Sequence, residues 1–183
     1  KHTTMIRTRL VIPAMDFTRP GNVDPIQVHH AITTCLPTSM FGSPALLNRV
    51  GLWGTTNHIT LPSLRRVLSA GAPVPPAVLE RFTKLLTPGV QIHTPYGATE
   101  ALPVSSIGSD EVLSETRRLT ELGRGICVGR AVAGMEIGII PITDEPIATW
   151  RDGLALGSNE IGEIVVRGPQ VTRGYFNRDE STR

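Results

Sequence analysis

Six consecutive residues hold the densest chemistry in the chain: Pro95, Tyr96, Gly97, Ala98, Thr99 and Glu100. A tyrosine ring offers a flat apolar face on which a base can stack, and the two small residues after it let a ligand approach the backbone. The threonine hydroxyl can donate to a phosphate oxygen, and the carboxylate can hold Mg2+. Together these are parts of a nucleotide site. The same residues also suit a plain Tyr-Gly turn with a solvated Thr-Glu pair, and six residues by themselves leave the two readings level.

A second segment, Ser69-Ala70-Gly71-Ala72-Pro73, lies about 25 residues upstream. Its small side chains leave room for a planar ligand against the backbone, and equally suit a tight connection between a strand and a helix. A third, Gly162-Glu163-Ile164 through Gly168 to Gly174-Tyr175, reads as a strand followed by a glycine turn, and a structural role is favoured for it. Of the two lysines, Lys1 is the first residue. Lys84 lies one helical turn beyond Glu80, an i, i+4 pair on a solvated helix face. His29 and His30 fall on a helix and His58 on a loop, all read as surface residues. His93 alternates along a strand just before the first segment, where it either faces a pocket or, the favoured reading, sits satisfied in the core.

These residues need elements to hold them. Four strands are expected, at Thr3 to Ile12, Thr38 to Gly42, Leu64 to Ser69 and Val90 to Thr94, each ending at a proline or glycine turn signal. Three helices alternate with them. Asp24-Pro25 and Ser43-Pro44 each place a capping oxygen before a proline suited to the first helical position. The third helix, Pro76 to Leu86, carries Val78, Leu79, Phe82, Leu85 and Leu86 on one face. Strand and helix in alternation imply an α/β fold with a mostly parallel sheet, flanking helices and right-handed crossovers. Ligands bind such sheets at the carboxyl ends of the strands, where the loop Pro95 to Glu100 and the turn Gly71 to Pro73 fall.

The pattern changes near residue 106, so residues 1–106 are expected to form the sheet subdomain and 107–183 a second, β-rich one. In the second, Asp110 to Leu122 reads as a short polar helix or an ordered loop. Strands at Met135 to Ile142 and Glu163 to Arg167, among many glycines, suggest a small antiparallel or barrel-like unit.

Composition removes several function classes. The chain has 183 residues, 40% of them hydrophobic and 19% charged, with a net charge of +2 and arginines scattered from Arg7 to Arg183. That is an ordinary globular balance without the basic stripe a nucleic-acid partner requires. No apolar run approaches the roughly 18 residues of a membrane helix. Cys35 and Cys127 form no CxxC pair and read as reduced thiols, which favours the cytoplasm. The chain starts on Lys1 and stops at Arg183 just past a turn, and reads as a piece of something longer.

In order and spacing, the three segments resemble the adenylate-forming superfamily, which includes acyl-CoA synthetases, peptide-synthetase adenylation domains and luciferases. Its Y-G-x-T-E motif is matched by Tyr96, Gly97, Ala98, Thr99 and Glu100. Its preceding small-residue loop is matched by Gly71, Ala72 and Pro73, and its later G-E-[IL] to G-Y block by Gly162, Glu163, Gly174 and Tyr175. Phe41 to Arg49 and Tyr96 to Val104 are most similar to the bacterial β-lactone synthetases of olefin biosynthesis and to fatty acyl-CoA ligases. By this resemblance Tyr96 stacks on adenine, Gly71 to Pro73 line the adenine and acyl side, Thr99 contacts the α-phosphate of ATP or AMP, and Glu100 binds Mg2+. Gly97 and Ala98, with Pro103, Val104 and Gly42, border a fatty acyl or 3-hydroxy fatty acyl substrate, and CoA is a possible acceptor.

The resemblance also implies parts that these residues do not contain: a Ser/Thr/Gly-rich phosphate loop with its lysine, an aspartate for the ribose in a T-G-D motif, and a mobile small domain with a catalytic lysine. Two expectations follow. One is a fragment of the large domain of an ATP-dependent acyl-activating enzyme, inactive when isolated from its preceding and following segments. The other is a binding module that keeps the fold without catalysis.

Overall fold

A computed structural model of the chain describes residues 9–145, 147, 149–150 and 153–178. The chain forms two compact units that interleave in sequence. The first combines the stretch up to Thr94 with Gly108–Cys127, and the second combines Pro95–Ile107 with the stretch from Val128 onward. A cut at residue 106 therefore does not separate them: the helical stretch after Gly108 belongs with the first unit, and the Tyr96 to Glu100 segment belongs with the second.

In the first unit, α1 (Pro25–Cys35) starts at Asp24, whose side chain accepts from the Ile26 N–H at 3.0 Å, and stops at Leu36 in a left-handed conformation. After β1 (Ser39–Phe41), α2 (Pro44–Thr56) starts at Ser43, which accepts from the Leu46 N–H at 3.3 Å. Then come β2 (Arg66–Leu68) and α3 (Pro76–Thr83). α3 is shorter than its apolar pattern because its end tightens. Leu85 and Leu86 donate to carbonyls three residues back, those of Phe82 and Thr83, while both side chains stay buried as the pattern requires. Glu80 and Lys84 pair at 3.7 Å on the outer face.

β3 (Ile92–Ala98) follows α3. β1 runs parallel to β2, with Met40 opposite Val67, and β2 runs parallel to β3, with Val67 opposite Ile92. Val67 and Ile92 are fully buried, while Arg66 beside them is exposed and Leu68 and His93 are half-buried. Leu47, Val50, Leu61, Leu64, Leu79, Phe82 and Leu85 complete this core. The expected strand Thr3 to Ile12 falls largely on residues 3–8, outside the described residues, and Arg9 to Ile12 form no strand. Short helical turns at Ser109–Glu111, Val112–Thr116 and Arg117–Glu121 form the polar helix expected after residue 110. It is held to α3 by Arg117, which bonds Glu80 at 3.2 Å and Glu121 at 3.0 Å.

The second unit holds all but the last residue of β4 (Ala101–Gly108), which follows β3 after two residues, and β5 (Arg130–Ala131), antiparallel to β4 with Ser105 opposite Ala131. The strand order is β1-β2-β3-β4-β5. β6 (Glu136–Ile140) and β7 (Glu163–Arg167) form a separate antiparallel pair, with Gly138 opposite Val165. Among the described residues these strands do not close into a barrel. Ala101, Val104 and Met135 form the core of this unit, with Val132, Val166 and Val171 against them. No helix of the described residues is long and apolar enough to cross a membrane.

α2 lies close to the turn that follows α3 because Gly54 has no side chain. A Cβ there would run into Leu85 Cδ2 and lie 3.0 Å from Ile59 Cγ1. Leu85 is fully buried. Gly54→Leu is therefore expected to destabilise the first unit by about 1–3 kcal/mol through overpacking, read as a lower denaturant midpoint. An unchanged midpoint would show that Gly54 and Leu85 are not in this close contact.

Candidate functional site

Pro95 to Glu100, expected as one loop, divides into two parts. Pro95, Tyr96, Gly97 and Ala98 continue β3, and only Thr99 and Glu100 make the turn into β4. The reason is local: with Ala101 already in β4, the chain must reverse within two residues, and β3 is drawn out to meet its partner. Tyr96 thus projects from a strand, which fixes a side chain better than a loop does. Tyr96 is 38% exposed. Gly97 has a φ of 154°, and a Cβ there would collide with the Ala101 carbonyl oxygen and lie 3.1 Å from Leu102 Cδ1. The glycine of the motif is set by this close approach across the hairpin.

Thr99 is exposed and Glu100 half-buried. The Tyr175 hydroxyl donates to Glu100 Oε1 at 2.7 Å. The backbone joins the same segments: the Thr172 N–H donates to the Glu100 carbonyl at 2.7 Å, and Ala101 forms an antiparallel bridge with Val171. The hydrogen bond from Tyr175, helped by the Glu100 N–H, holds the Glu100 carboxyl below its ordinary range, and burial opposes this weakly. In return, the bond to Glu100 and then its charge push the Tyr175 hydroxyl above the ordinary phenol range. The carboxylate is therefore an anion at neutral pH, held in place by a neutral donor.

The remaining expected residues fall into two sets. Pro103 and Val104 follow on β4. Pro103 is half-buried, whereas the Val104 side chain is committed to the core beside Ala101 and Met135. In the first unit, Gly71, Ala72 and Pro73 are exposed on the connection from β2 to α3. Gly71 has a φ of 93°, and no atom lies within 4 Å of where its Cβ would be, so the backbone there is open to a ligand. Ser69, two residues before, is 1% exposed, and its hydroxyl finds no partner among the described residues. Gly42 is buried: its N–H donates to Leu68 at 3.0 Å, and a Cβ there would lie 3.1 Å from Leu46 Cδ2. His93 is half-buried on β3, opposite Leu68. His58 is exposed in a left-handed conformation, and His29 stands 5.5 Å from the Trp53 ring.

The described residues hold no cluster of three His, Cys, Asp or Glu side chains able to cage a metal. A single anchored carboxylate suits Mg2+, which keeps most of its waters and takes other ligands from phosphate oxygens. Linear spacing did not announce Tyr175 as the partner of Glu100. The bond spans 75 residues, and the one local sign was a tyrosine placed after the glycine of the third segment.

An exposed tyrosine ring, a threonine hydroxyl and an ionised carboxylate thus lie together on one hairpin at the end of a parallel strand. The model of the family described as "AMP-binding enzyme" matches residues 5–176, and the chain belongs to that family. It is 48% identical over 172 residues to an olefin beta-lactone synthetase of Stenotrophomonas maltophilia, across 94% of this chain and 30% of that protein. Among solved structures it is similar to the amide bond synthetase McbA of Marinactinospora thermotolerans, with a TM-score of 0.68 and 27% identity over 87% of this chain and 29% of that one. It is also similar to the O-succinylbenzoate coenzyme A synthetase MenE of Bacillus subtilis in complex with AMP, with a TM-score of 0.61 and 26% identity over 87% and 28%. The chain thus spans about 30% of the length of the curated relative it matches.

The two pKa displacements give a pH prediction. Tyr175 is raised, so its contribution to stability is complete below the ordinary phenol pKa and is lost as pH rises through the folded value. Glu100 is lowered, so its contribution is present above the ordinary carboxyl pKa and is lost as pH falls through the folded value. In an ultraviolet titration of tyrosinate, Glu100→Gln should bring the Tyr175 transition down toward the ordinary range. Identical titrations for wild type and variant would refute the bond.

Proposed function

We propose that these residues supply the base, α-phosphate and metal contacts of a longer enzyme that activates a carboxylic acid as its acyl-adenylate. The observation that supports this is the Tyr96 to Glu100 hairpin, with its carboxylate ionised and anchored. The substrate carboxylate oxygen attacks the α-phosphorus of ATP, the bond to the bridging oxygen breaks, and pyrophosphate leaves with the electron pair. Two anions must approach each other, so fixed donors on the phosphate are needed. Tyr96 stacks on the adenine, the Thr99 hydroxyl donates to the α-phosphate, and Glu100 would hold Mg2+, whose charge offsets that of the phosphates. In the first unit, the open backbone at Gly71 to Pro73 accepts a flat group.

The relative at 48% identity is named for a β-lactone product, which supports a 3-hydroxy fatty acid as substrate. Its own β-hydroxyl would then displace AMP from the acyl-adenylate and close the ring, the hydroxyl proton passing to solvent. The similarity to a coenzyme A synthetase supports a second reading, in which the thiol of CoA displaces AMP. Gly97, Ala98 and Pro103 are small or apolar along the hairpin, as a wall beside a hydrocarbon chain requires, and Val104 supports that wall from within the core.

In the longer protein, Thr99→Ala and Glu100→Ala should each lower ATP-pyrophosphate exchange about 10- to 100-fold, the range for losing a hydrogen bond or ligand to a charged group, while the fold persists. Unchanged exchange in both would remove the assignment. With a panel of acids, fatty and 3-hydroxy fatty acids should outcompete amino acids in the same assay. Preference for a zwitterion would contradict the apolar wall.

A further inference from the structure

We propose that Tyr175 is a positioning residue for the Glu100 carboxylate, fixing which of its lone pairs faces a divalent cation and the phosphates. The inference rests on the reading of Glu100 as the metal carboxylate and goes beyond it in giving the third segment a chemical duty.

Three observations support it. First, the Tyr175 hydroxyl donates to Glu100 Oε1 at 2.7 Å, a charge-assisted bond that with the Glu100 N–H takes two of about four lone-pair sites on the carboxylate. Second, the donor is neutral. An arginine or lysine in its place would hold the carboxylate equally well, but would cancel the charge that attracts the cation. A phenol orients the group and leaves it negative, which is the combination a metal ligand needs. Third, the segment is already docked without the hydroxyl. The Thr172 N–H bond to the Glu100 carbonyl and the Val171 bridge to Ala101 hold the backbone, and the Tyr175 side chain is 49% exposed, adding little to any core.

The test uses the longer protein, with Tyr175→Phe, Glu100→Gln and the double variant. Two readouts are taken: the Mg2+ concentration for half-maximal ATP-pyrophosphate exchange alongside turnover at saturating Mg2+, and the affinity for Mn2+ in the presence of ATP by electron paramagnetic resonance. Loss of a partner to a metal ligand costs about 10- to 100-fold in metal affinity. Tyr175→Phe should therefore raise the half-saturating Mg2+ and weaken Mn2+ binding at least tenfold, with turnover at saturation within about twofold of wild type. The double variant should be no worse than Glu100→Gln, since Tyr175 acts through that carboxylate.

Metal dependence in Tyr175→Phe equal to that of wild type, with Glu100→Gln impaired, would overturn the inference and leave the metal reading standing. Losses that add in full would also overturn it, as would a melting transition so lowered that Tyr175→Phe does not fold, because the hydroxyl would then be serving stability. If Glu100→Gln itself leaves exchange and Mn2+ binding unchanged, the reading of Glu100 has failed, and the inference fails with it.

Discussion

The chemistry of the second unit depends on a chain reversal confined to two residues. Because β3 ends at Ala98 and β4 begins at Ala101, Thr99 and Glu100 occupy the tip, and their side chains are set by the ladder on either side. The constraint extends inward. Gly97 must be glycine because the Ala101 carbonyl lies where a Cβ would stand, and Ala101 in turn carries the bridge to Val171 that brings Tyr175 within reach. A hydroxyl, a carboxylate and an aromatic ring thus take up fixed positions without a flexible loop.

Much of this was legible in the sequence, for identifiable reasons. Asp24-Pro25 and Ser43-Pro44 marked helix starts because capping is a local interaction, complete within three residues. The apolar face of α3 was equally plain, since Val78, Leu79 and Phe82 repeat at the helical period. Elements whose ends are decided by a partner were harder to read. β3 was expected to end at Thr94 because Pro95 is a turn signal, yet pairing across the hairpin carries it through that proline to Ala98. α3 stops three residues short of its pattern because its last carbonyls are satisfied by a tighter turn. The stretch after Gly108 looked like the start of a new region, but Arg117 commits it to α3 through Glu80.

The site shows the same division. Tyr96, Gly97, Thr99 and Glu100 stood out because their types and order are contiguous. The third segment reads as structural in sequence, and only the fold brings its tyrosine to Glu100. A pair of residues so far apart leaves no periodicity to detect, and each is chemically ordinary when read alone.

That separation also carries an entropic cost. A bond between positions 100 and 175 closes a large loop, and the pairing of β6 with β7 lies inside that loop and shortens the path that has to be ordered. A chain that emerges with its N-terminus first exposes the Thr99-Glu100 tip well before Tyr175 has been made. Until the last of these residues arrives, the carboxylate is present but unheld.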